Sequence, residues 1–186
     1  QETLTPKLHL DWFATDKRHL HFVATYAARG WIGLGVAEPG ANMQGPEDAM
    51  SNAMLCFPDD WNATGQYEIN GYTEFNFTAT PSLTVGNVSC TQNQTHTVLK
   101  FSRAVDNGIA NQAQFVNNGS ATSVIFAVGV NNTFAAVDYN QMASKEINFF
   151  PMGPKPTPPP PPCGGQGHVS RGVIYELRAT LFPVPR

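Results

Sequence analysis

Short segments in which apolar and polar residues alternate are the feature that most constrains how this chain can fold. Three of them follow one another at 8–13, 19–24 and 31–36, and turn-like residues separate them at 15–17 and 28–30. Alternation with a period of two places one set of side chains on a single face of a β-strand. Strands this short and this close in sequence predict neighbours in an antiparallel sheet.

Later segments continue the pattern, and no apolar heptads compete with it. These predicted strands are 51–57, 67–72, 95–101, 123–129 and 173–178. Charged residues make up only 13% of the chain, while Gly, Pro, Asn and Thr are abundant, which is typical of proteins built from strands and turns. About eight or nine strands joined by short turns predict an all-β fold, an antiparallel β-sandwich.

A length of 186 residues fits a single domain. The segment 151–167 does not fit a strand, because it is rich in Pro and Gly and its proline run at 158–162 can donate no hydrogen bond to a sheet. Strand-like sequence resumes after His168. We therefore interpret 151–167 as a loop inserted before the last strand of one domain that spans 1–186.

Charge and hydropathy exclude two classes of partner. The net charge is −3 and no block of Lys or Arg occurs, so the electrostatic footprint of a nucleic-acid-binding protein is missing. No window approaches the roughly eighteen uninterrupted apolar residues of a membrane span, and no signal sequence remains at Gln1. We expect a processed chain without a membrane span.

N-glycosylation sequons indicate the compartment. The chain has six Asn-x-Ser/Thr matches, none with Pro in the middle position. Their asparagines are Asn62, Asn76, Asn87, Asn93, Asn118 and Asn131. So many matches in one domain favour a secreted eukaryotic glycoprotein with N-linked glycans, located at the cell surface or in the matrix.

The three cysteines are consistent with an oxidising compartment, in which one intrachain disulfide would leave one thiol over. Sequence alone does not determine which two are paired. Cys56 and Cys90 each lie beside a predicted strand in the middle of the chain, which favours a bond between them. Cys163 would then be free, or bonded to a group outside this chain.

Met43 and His168 are the residues that suggest a chemistry. A glycine-rich strand at 30–36 leads to a turn that carries Met43, and His168 lies in a second glycine-rich stretch far along the chain. Brought together at the end of a sandwich, a thioether and an imidazole would be the two axial ligands of a haem iron. That pair favours a six-coordinate, low-spin iron that transfers electrons and leaves no position open for oxygen.

Other methionines and histidines compete for this role. Met50 and Met54 lie close to Met43, but even spacing in a strand puts them on one face, where packing in the core is the more common role. His19 and His21 also share a strand face and could bind copper or zinc together with His9. For them a solvated or packed face is the more common explanation.

Residues around the proposed haem can also be named. Arg171 and Arg103 are natural partners for the propionates, since guanidinium groups match carboxylate geometry, although a surface salt bridge would equally explain Arg103. Trp31 is expected to fill the core beneath the cofactor pocket, and Tyr72 and Phe101 to line it.

Motifs of catalysis are missing from the sequence. It contains no Gly-x-Ser-x-Gly elbow, no His-Glu-x-x-His helix and no phosphate-binding glycine loop. Glu47 and Asp48 are adjacent carboxylates, which rarely converge on one bond as glycosidase chemistry requires. We expect no catalytic residues and an electron-transfer or binding domain rather than an enzyme.

Several of these motifs together carry a resemblance. They are Gly-Trp-Ile-Gly-Leu-Gly at 30–35, Met-Gln-Gly at 43–45 followed by Glu47 and Asp48, Phe-Ser-Arg at 101–103, His168, and Arg-Gly at 171–172. In this pattern the chain resembles the DOMON family, and more narrowly its haem-binding cytochrome branch, seen in the cytochrome domain of fungal cellobiose dehydrogenase and in plant apoplastic cytochromes. The resemblance runs from about Leu8 to Leu181 and leaves out 151–167.

The resemblance implies an immunoglobulin-like sandwich that binds one haem b through Met43 and His168. The expected function is that of a secreted b-type cytochrome, which passes single electrons between a donor and an acceptor; its partner is a redox protein or a small-molecule electron donor or acceptor. The alternative is a haem-free DOMON module that binds carbohydrate or acts as a structural glycoprotein. Cys163 could then link chains by an intermolecular disulfide.

Overall fold

A computed structural model describes residues 1–16, 18–37, 51–69, 77–79, 85–106, 108, 113–116, 118–134 and 142–151. These residues belong to one compact unit, Gln1–Gly153. Several sequence predictions fall outside the described residues: Met43, Met50, Tyr72, Asn76, Cys163, His168, Arg171, the strand at 173–178 and the proline-rich loop after Pro151. They remain predictions.

The described residues form eleven β-strands. In chain order these are β1 Glu2–Thr3, β2 Leu8–Asp16, β3 His19–Tyr26, β4 Ile32–Ala37, β5 Ser51–Cys56, β6 Gly65–Ile69, β7 Phe77–Ala79, β8 Val85–Gln92, β9 Thr97–Ala104, β10 Thr122–Val128 and β11 Ala143–Ile147. The all-β prediction is confirmed.

The strands divide into two antiparallel sheets. The first sheet has the order β1-β2-β3-β9-β8, and the second has the order β11-β10-β4-β5-β6-β7. Strands β2 and β3 form a hairpin, in which Trp12 is opposite Phe22, and β3 pairs in turn with β9, in which Phe22 is opposite Phe101. Two sheets whose apolar faces pack together are the predicted β-sandwich.

The core lies between the sheets and follows the alternation seen in the sequence. In β3, Leu20, Phe22, Ala24 and Tyr26 are buried, while the residues between them are half-buried. Three phenylalanines from different parts of the chain pack around Phe22, with ring centroids 4.9 to 5.6 Å from it. These are Phe101, Phe115 and Phe149.

Strand predictions were most accurate where apolar residues alternate and failed where they do not. Strand β8 was missed because its sequence, Val-Gly-Asn-Val-Ser-Cys-Thr-Gln, is mostly polar. Its pairing with β9 shifts register between Gly86 and Ser89, and Asn87 between them has a φ of 53°, which Asn tolerates better than most residues. Strand β11 was missed for the same reason, since it is a polar strand at the edge of its sheet.

A disulfide between Cys56 and Cys90 joins the two sheets, which confirms that prediction. Cys56 ends β5 in the second sheet, and Cys90 lies in β8 of the first, with 5.4 Å between their Cα atoms. Cys56 is fully buried in the core. The bond therefore connects the sheets through the interior rather than across an exposed loop.

Among the residues described, no helix is long and apolar enough to cross a membrane.

Candidate functional site

The central strands of the second sheet are buried on both faces. Strands β4, β5 and β10 have every residue buried. Along each of these strands, alternate side chains point toward the first sheet and join the interior cluster. The side chains between them pack into a second apolar cluster on the opposite face. The outer faces of two-sheet sandwiches are usually polar, so this second cluster is the most unusual feature of the described fold.

We call this surface the outer apolar face. Its residues alternate with interior residues along the three central strands and continue onto the neighbouring turns and β6. The buried members are Trp31, Ala37, Ala53, Leu55, Phe57, Ile69, Ile125 and Ala127, and Ala63, Tyr67, Phe134 and Met142 pack against them. Four of these residues, Ala37, Ala53, Ala63 and Ala127, contribute only a methyl group each.

Gly35 is required by the close packing of β4 on β5, and Gly33 packs closely against the Leu55 side chain. A Cβ atom at position 35 would lie 2.2 Å from the carbonyl oxygen of Asn52 and 2.6 Å from the Cβ of Ala53. At position 33 it would lie 2.9 Å from a Leu55 methyl group. Real Cβ atoms do not approach backbone this closely, so a side chain at 35 would force the two strands apart.

We therefore expect Gly35→Ala to destabilise the fold. The added Cβ meets backbone rather than a flexible side chain, so the free energy of unfolding should fall by about 2 kcal/mol or more, measured by denaturant unfolding. Gly65→Ala is the matched control, because a Cβ there meets nothing within 4 Å. It should change stability by less than about 0.5 kcal/mol, and equal losses in the two variants would contradict the packing argument.

Trp31 is the largest residue of the outer apolar face. Its indole lies directly over Gly129, where a Cβ would come within 2.2 Å of the ring. Phe134 and Phe57 pack beside it, with ring centroids 5.3 and 6.1 Å away. The indole Nε1 is buried without a hydrogen-bond partner. Such a donor is uncommon in a native interior and is available to an acceptor that enters the site.

The segment that carries Met43 leaves and rejoins this sheet at its centre. It follows Ala37 at the end of β4 and leads into Ser51 at the start of β5, and β4 and β5 are neighbours in which Val36 is opposite Asn52. Ala37 is itself part of the outer apolar face. Met43 and His168, which the sequence suggests as a ligand pair, lie outside the described residues.

The structure does not bring Phe101 and Trp31 together. Phe101 packs in the interior cluster between the sheets, whereas Trp31 belongs to the outer apolar face on the other side of β4. A single flat cofactor cannot contact both. Met54, considered as a rival iron ligand, is also in the interior cluster, in agreement with the core role expected for it.

Arg103 lies in the interior, so a surface salt bridge is not its role. It is 4% exposed, and its guanidinium donates hydrogen bonds to the side-chain oxygen of Asn52 and to the backbone oxygen of Ala113. It also lies 5.1 Å from the centroid of the Phe115 ring. Burial lowers the pKa of Arg103 to about 10, so the side chain is still protonated at neutral pH.

Sequence reasoning missed Asn52 and Gln66, the polar residues that share the interior with Arg103. The amide of Asn52 is buried and donates to the oxygen of Ala113 at 3.0 Å. Gln66 is 6% exposed and neither atom of its amide has a partner. In the sequence, each of them is only a polar residue within a strand. Such a residue cannot be distinguished from a solvent-facing residue before the sheet order is known.

The histidines of the first sheet do not form a metal centre. The His21 ring stacks on Phe13 with centroids 4.5 Å apart, and its Nε2 is 2.5 Å from the hydroxyl of Thr15. The Nδ1 of His9 is 3.3 Å from the hydroxyl of Thr3. In the part of the chain that the structure describes, no group of three or more His, Cys, Asp or Glu could hold a metal ion.

Comparison with known proteins adds no family to this description. No protein-family model matches the chain, and no curated protein is significantly similar to it.

Proposed function

We propose that this protein is a secreted b-type cytochrome that transfers single electrons through a haem held between Met43 and His168. The observation that carries the proposal is the outer apolar face, a second apolar side to a sheet that needs only one apolar side to build a sandwich. Cofactor sites are lined mostly by apolar residues with a few polar groups. Glycine and alanine let a large ring approach the backbone closely.

The residues of this face fit a porphyrin. Gly33 and Gly35 place no side chain on it, and Ala53 and Ala127 on the neighbouring strands add only a methyl group each. The unpartnered Nε1 of Trp31 would donate a hydrogen bond to a polar group at the edge of the ring. The segment with Met43 begins and ends at this sheet, which would bring a thioether to the iron without a long excursion.

A bound haem would supply a one-electron couple between ferric and ferrous iron. In this proposal the chain's own residues determine how it is used. Met43 and His168 would hold the iron and leave no position open for oxygen, and the outer apolar face would exclude water from the ring. Arg171 would pair with a propionate. We infer no catalytic residue.

Haem reconstitution of the purified protein tests the proposal. The absorption spectrum should show a Soret band with the features of low-spin iron in both oxidation states, and a protein that takes up no haem would refute it. Ala127→Trp should reduce haem uptake, since it fills the outer apolar face, whereas Lys100→Trp, on an exposed position of β9, should not. Thermal unfolding of both variants would verify that they are folded. Equal uptake would place the haem elsewhere.

We also propose that the protein is a secreted glycoprotein. Five of the sequon asparagines lie in described residues, and all five are exposed: Asn62, Asn87, Asn93, Asn118 and Asn131. In three of them the side-chain oxygen accepts a hydrogen bond from the backbone two residues on, which holds the sequon in a surface turn. Enzymatic removal of N-glycans should lower the mass of the protein secreted by eukaryotic cells. An unchanged mass would contradict this proposal.

A further inference from the structure

Large apolar side chains are exposed at three places in the part of the chain that the structure describes. They are Phe13 at 60%, Trp61 at 59% and Val130 at 60%. The ring of Phe13 stacks on that of His21, with centroids 4.5 Å apart. Trp61 and Val130 share a different feature, because each directly precedes the asparagine of a glycosylation sequon. Exposed apolar surface of this size usually marks a place where another group binds.

Trp61 and Asn62 lie in a tight turn that follows β5. The backbone N–H of Thr64 donates to the carbonyl oxygens of Trp61 and Asp60, at 3.1 and 3.2 Å. The Thr64 hydroxyl accepts a hydrogen bond of 2.9 Å from the backbone N–H of Phe57 and donates one of 3.2 Å to the Phe57 carbonyl. These bonds tie both ends of the sequence Trp-Asn-Ala-Thr to the end of the strand. The turn therefore holds an exposed indole and a sequon amide on neighbouring residues of a fixed backbone.

The turn that carries Val130 lies beside this one. The last residues of β5 and of β10 are both opposite Ile32 of β4, so the two turns that follow them leave the same end of the second sheet. The side-chain amide of Asn132 donates to the carboxylate of Asp59 at 2.6 Å, which joins one turn to the other. Two exposed apolar side chains and two sequons therefore occupy one end of the sandwich.

The chemistry of the first sugar of an N-linked glycan suits an indole. This sugar is N-acetylglucosamine, attached to the side-chain nitrogen of the asparagine. One face of its ring presents only C–H groups, whose hydrogens are weakly positive, and the face of an aromatic ring is weakly negative. Contact between the two faces also removes apolar surface from water. Because the sugar would be covalently attached to the residue after Trp61, its effective concentration at the indole would be high.

We propose that the chain carries an N-glycan on Asn62 whose first N-acetylglucosamine packs on the indole of Trp61. The sugar covers an apolar side chain that the protein fold leaves 59% exposed, and so stabilises the turn after β5. The inference rests on the glycosylation proposed above and adds a binding surface for one of the glycans. It does not depend on haem, so it can be tested in protein without cofactor.

Nuclear magnetic resonance of the glycosylated chain provides the direct test. The protein is secreted by cells that make high-mannose glycans, and an endoglycosidase then trims each glycan to its first sugar. The C–H protons of the sugar on Asn62 should be shifted upfield by the indole ring, and Trp61→Ser should abolish that shift. The sugar on Asn118, which follows another asparagine in the sequence, is the internal control and should have ordinary shifts. Ordinary shifts for the sugar on Asn62 would overturn the proposal.

Thermal unfolding measures the energetic effect in a double-mutant cycle. In the glycosylated protein, Trp61→Ser should lower the Tm by roughly 2 to 4 °C, since an aromatic contact is lost. In a chain that also carries Asn62→Gln, which lacks only this glycan, the same substitution should change the Tm by less than about 1 °C, because the side chain is then exposed. Phe13→Ser is the control of matched exposure, and its effect should be the same with and without Asn62→Gln. Equal losses for Trp61→Ser in the two chains would overturn the proposal.

Mass spectrometry of glycopeptides separates a failure of this inference from a failure of the glycoprotein proposal. We expect a glycan on Asn62 in the protein secreted by eukaryotic cells. Glycans on other sequons with Asn62 unoccupied would overturn the inference about Trp61 and leave the glycoprotein proposal in place. A chain without a glycan at any sequon would refute both.

Discussion

Replacing Met43 with alanine should convert a six-coordinate, low-spin haem spectrum into a five-coordinate, high-spin one, and replacing His168 should do the same or abolish haem binding. Each residue is proposed to supply one axial ligand, so its loss leaves an open position on the iron. Loss of the thioether should also lower the reduction potential, because methionine stabilises the ferrous form. Absorption spectra of the reconstituted variants, and a redox titration of Met43→Ala, measure both effects.

Met54→Leu is the matched control for Met43→Ala. It replaces a methionine of similar position in the sequence, but Met54 packs in the interior cluster, where leucine conserves most of its volume. Its spectrum and potential should match those of the natural protein. If Met54→Leu changed the spectrum and Met43→Ala did not, Met43 would not be the iron ligand. The proposal that the protein binds haem would still be supported.

Removal of the disulfide should have the largest effect on stability. The double variant Cys56→Ala, Cys90→Ala should unfold with a free energy lower by roughly 4 kcal/mol in the chain-entropy model, because the bond closes a loop with a sequence separation of 34. The variant also loses the covalent connection between the two sheets, which lowers its stability further. Denaturant unfolding of the variant, compared with the natural protein, measures it.

Two comparisons make this result specific. Reduction of the natural protein should give a similar loss, without the change in buried volume that alanine introduces. Cys163→Ser should leave stability unchanged, since Cys56 and Cys90 are already bonded to each other. A loss of less than about 1 kcal/mol on reduction would show that the reduced chain retains enough structure to cancel the entropic benefit. Covalent dimers that disappear in Cys163→Ser on a non-reducing gel would identify an intermolecular role for that thiol.

The alternating segments predicted the fold class and most of the long strands, since a period of two is a local property that the backbone geometry alone imposes. Strands β3, β4 and β10 lie within a few residues of the predicted ranges. Strands β8 and β11 were missed because their pairing partners, not their own side chains, keep them extended. The strand predicted at 67–72 begins earlier, as β6 Gly65–Ile69, because Gly65 pairs with Leu55.

The candidate site was less predictable than the fold. Trp31 and Phe101 were both assigned to the surroundings of one cofactor, but Trp31 lies in the outer apolar face and Phe101 in the interior cluster. Arg103 was considered for the surface and is in the core. Phe101 lies in a strand that was predicted, but the face on which it lies was not; Arg103 lies two residues beyond the predicted range 95–101, and its burial was not predicted.

By itself, the sequence determined which segments are extended, which residues alternate together, and which chemical groups are present: thioether, imidazole, sequons and cysteines. It could not determine which side of each strand meets the other sheet, because alternation divides residues into two sets and does not say which set faces inward. Only the tertiary structure showed that both sets are buried in β4, and only the approach of β9 to β5 placed the charge of Arg103 in the interior. Contacts of that kind join residues far apart in the chain, so they depend on the tertiary structure.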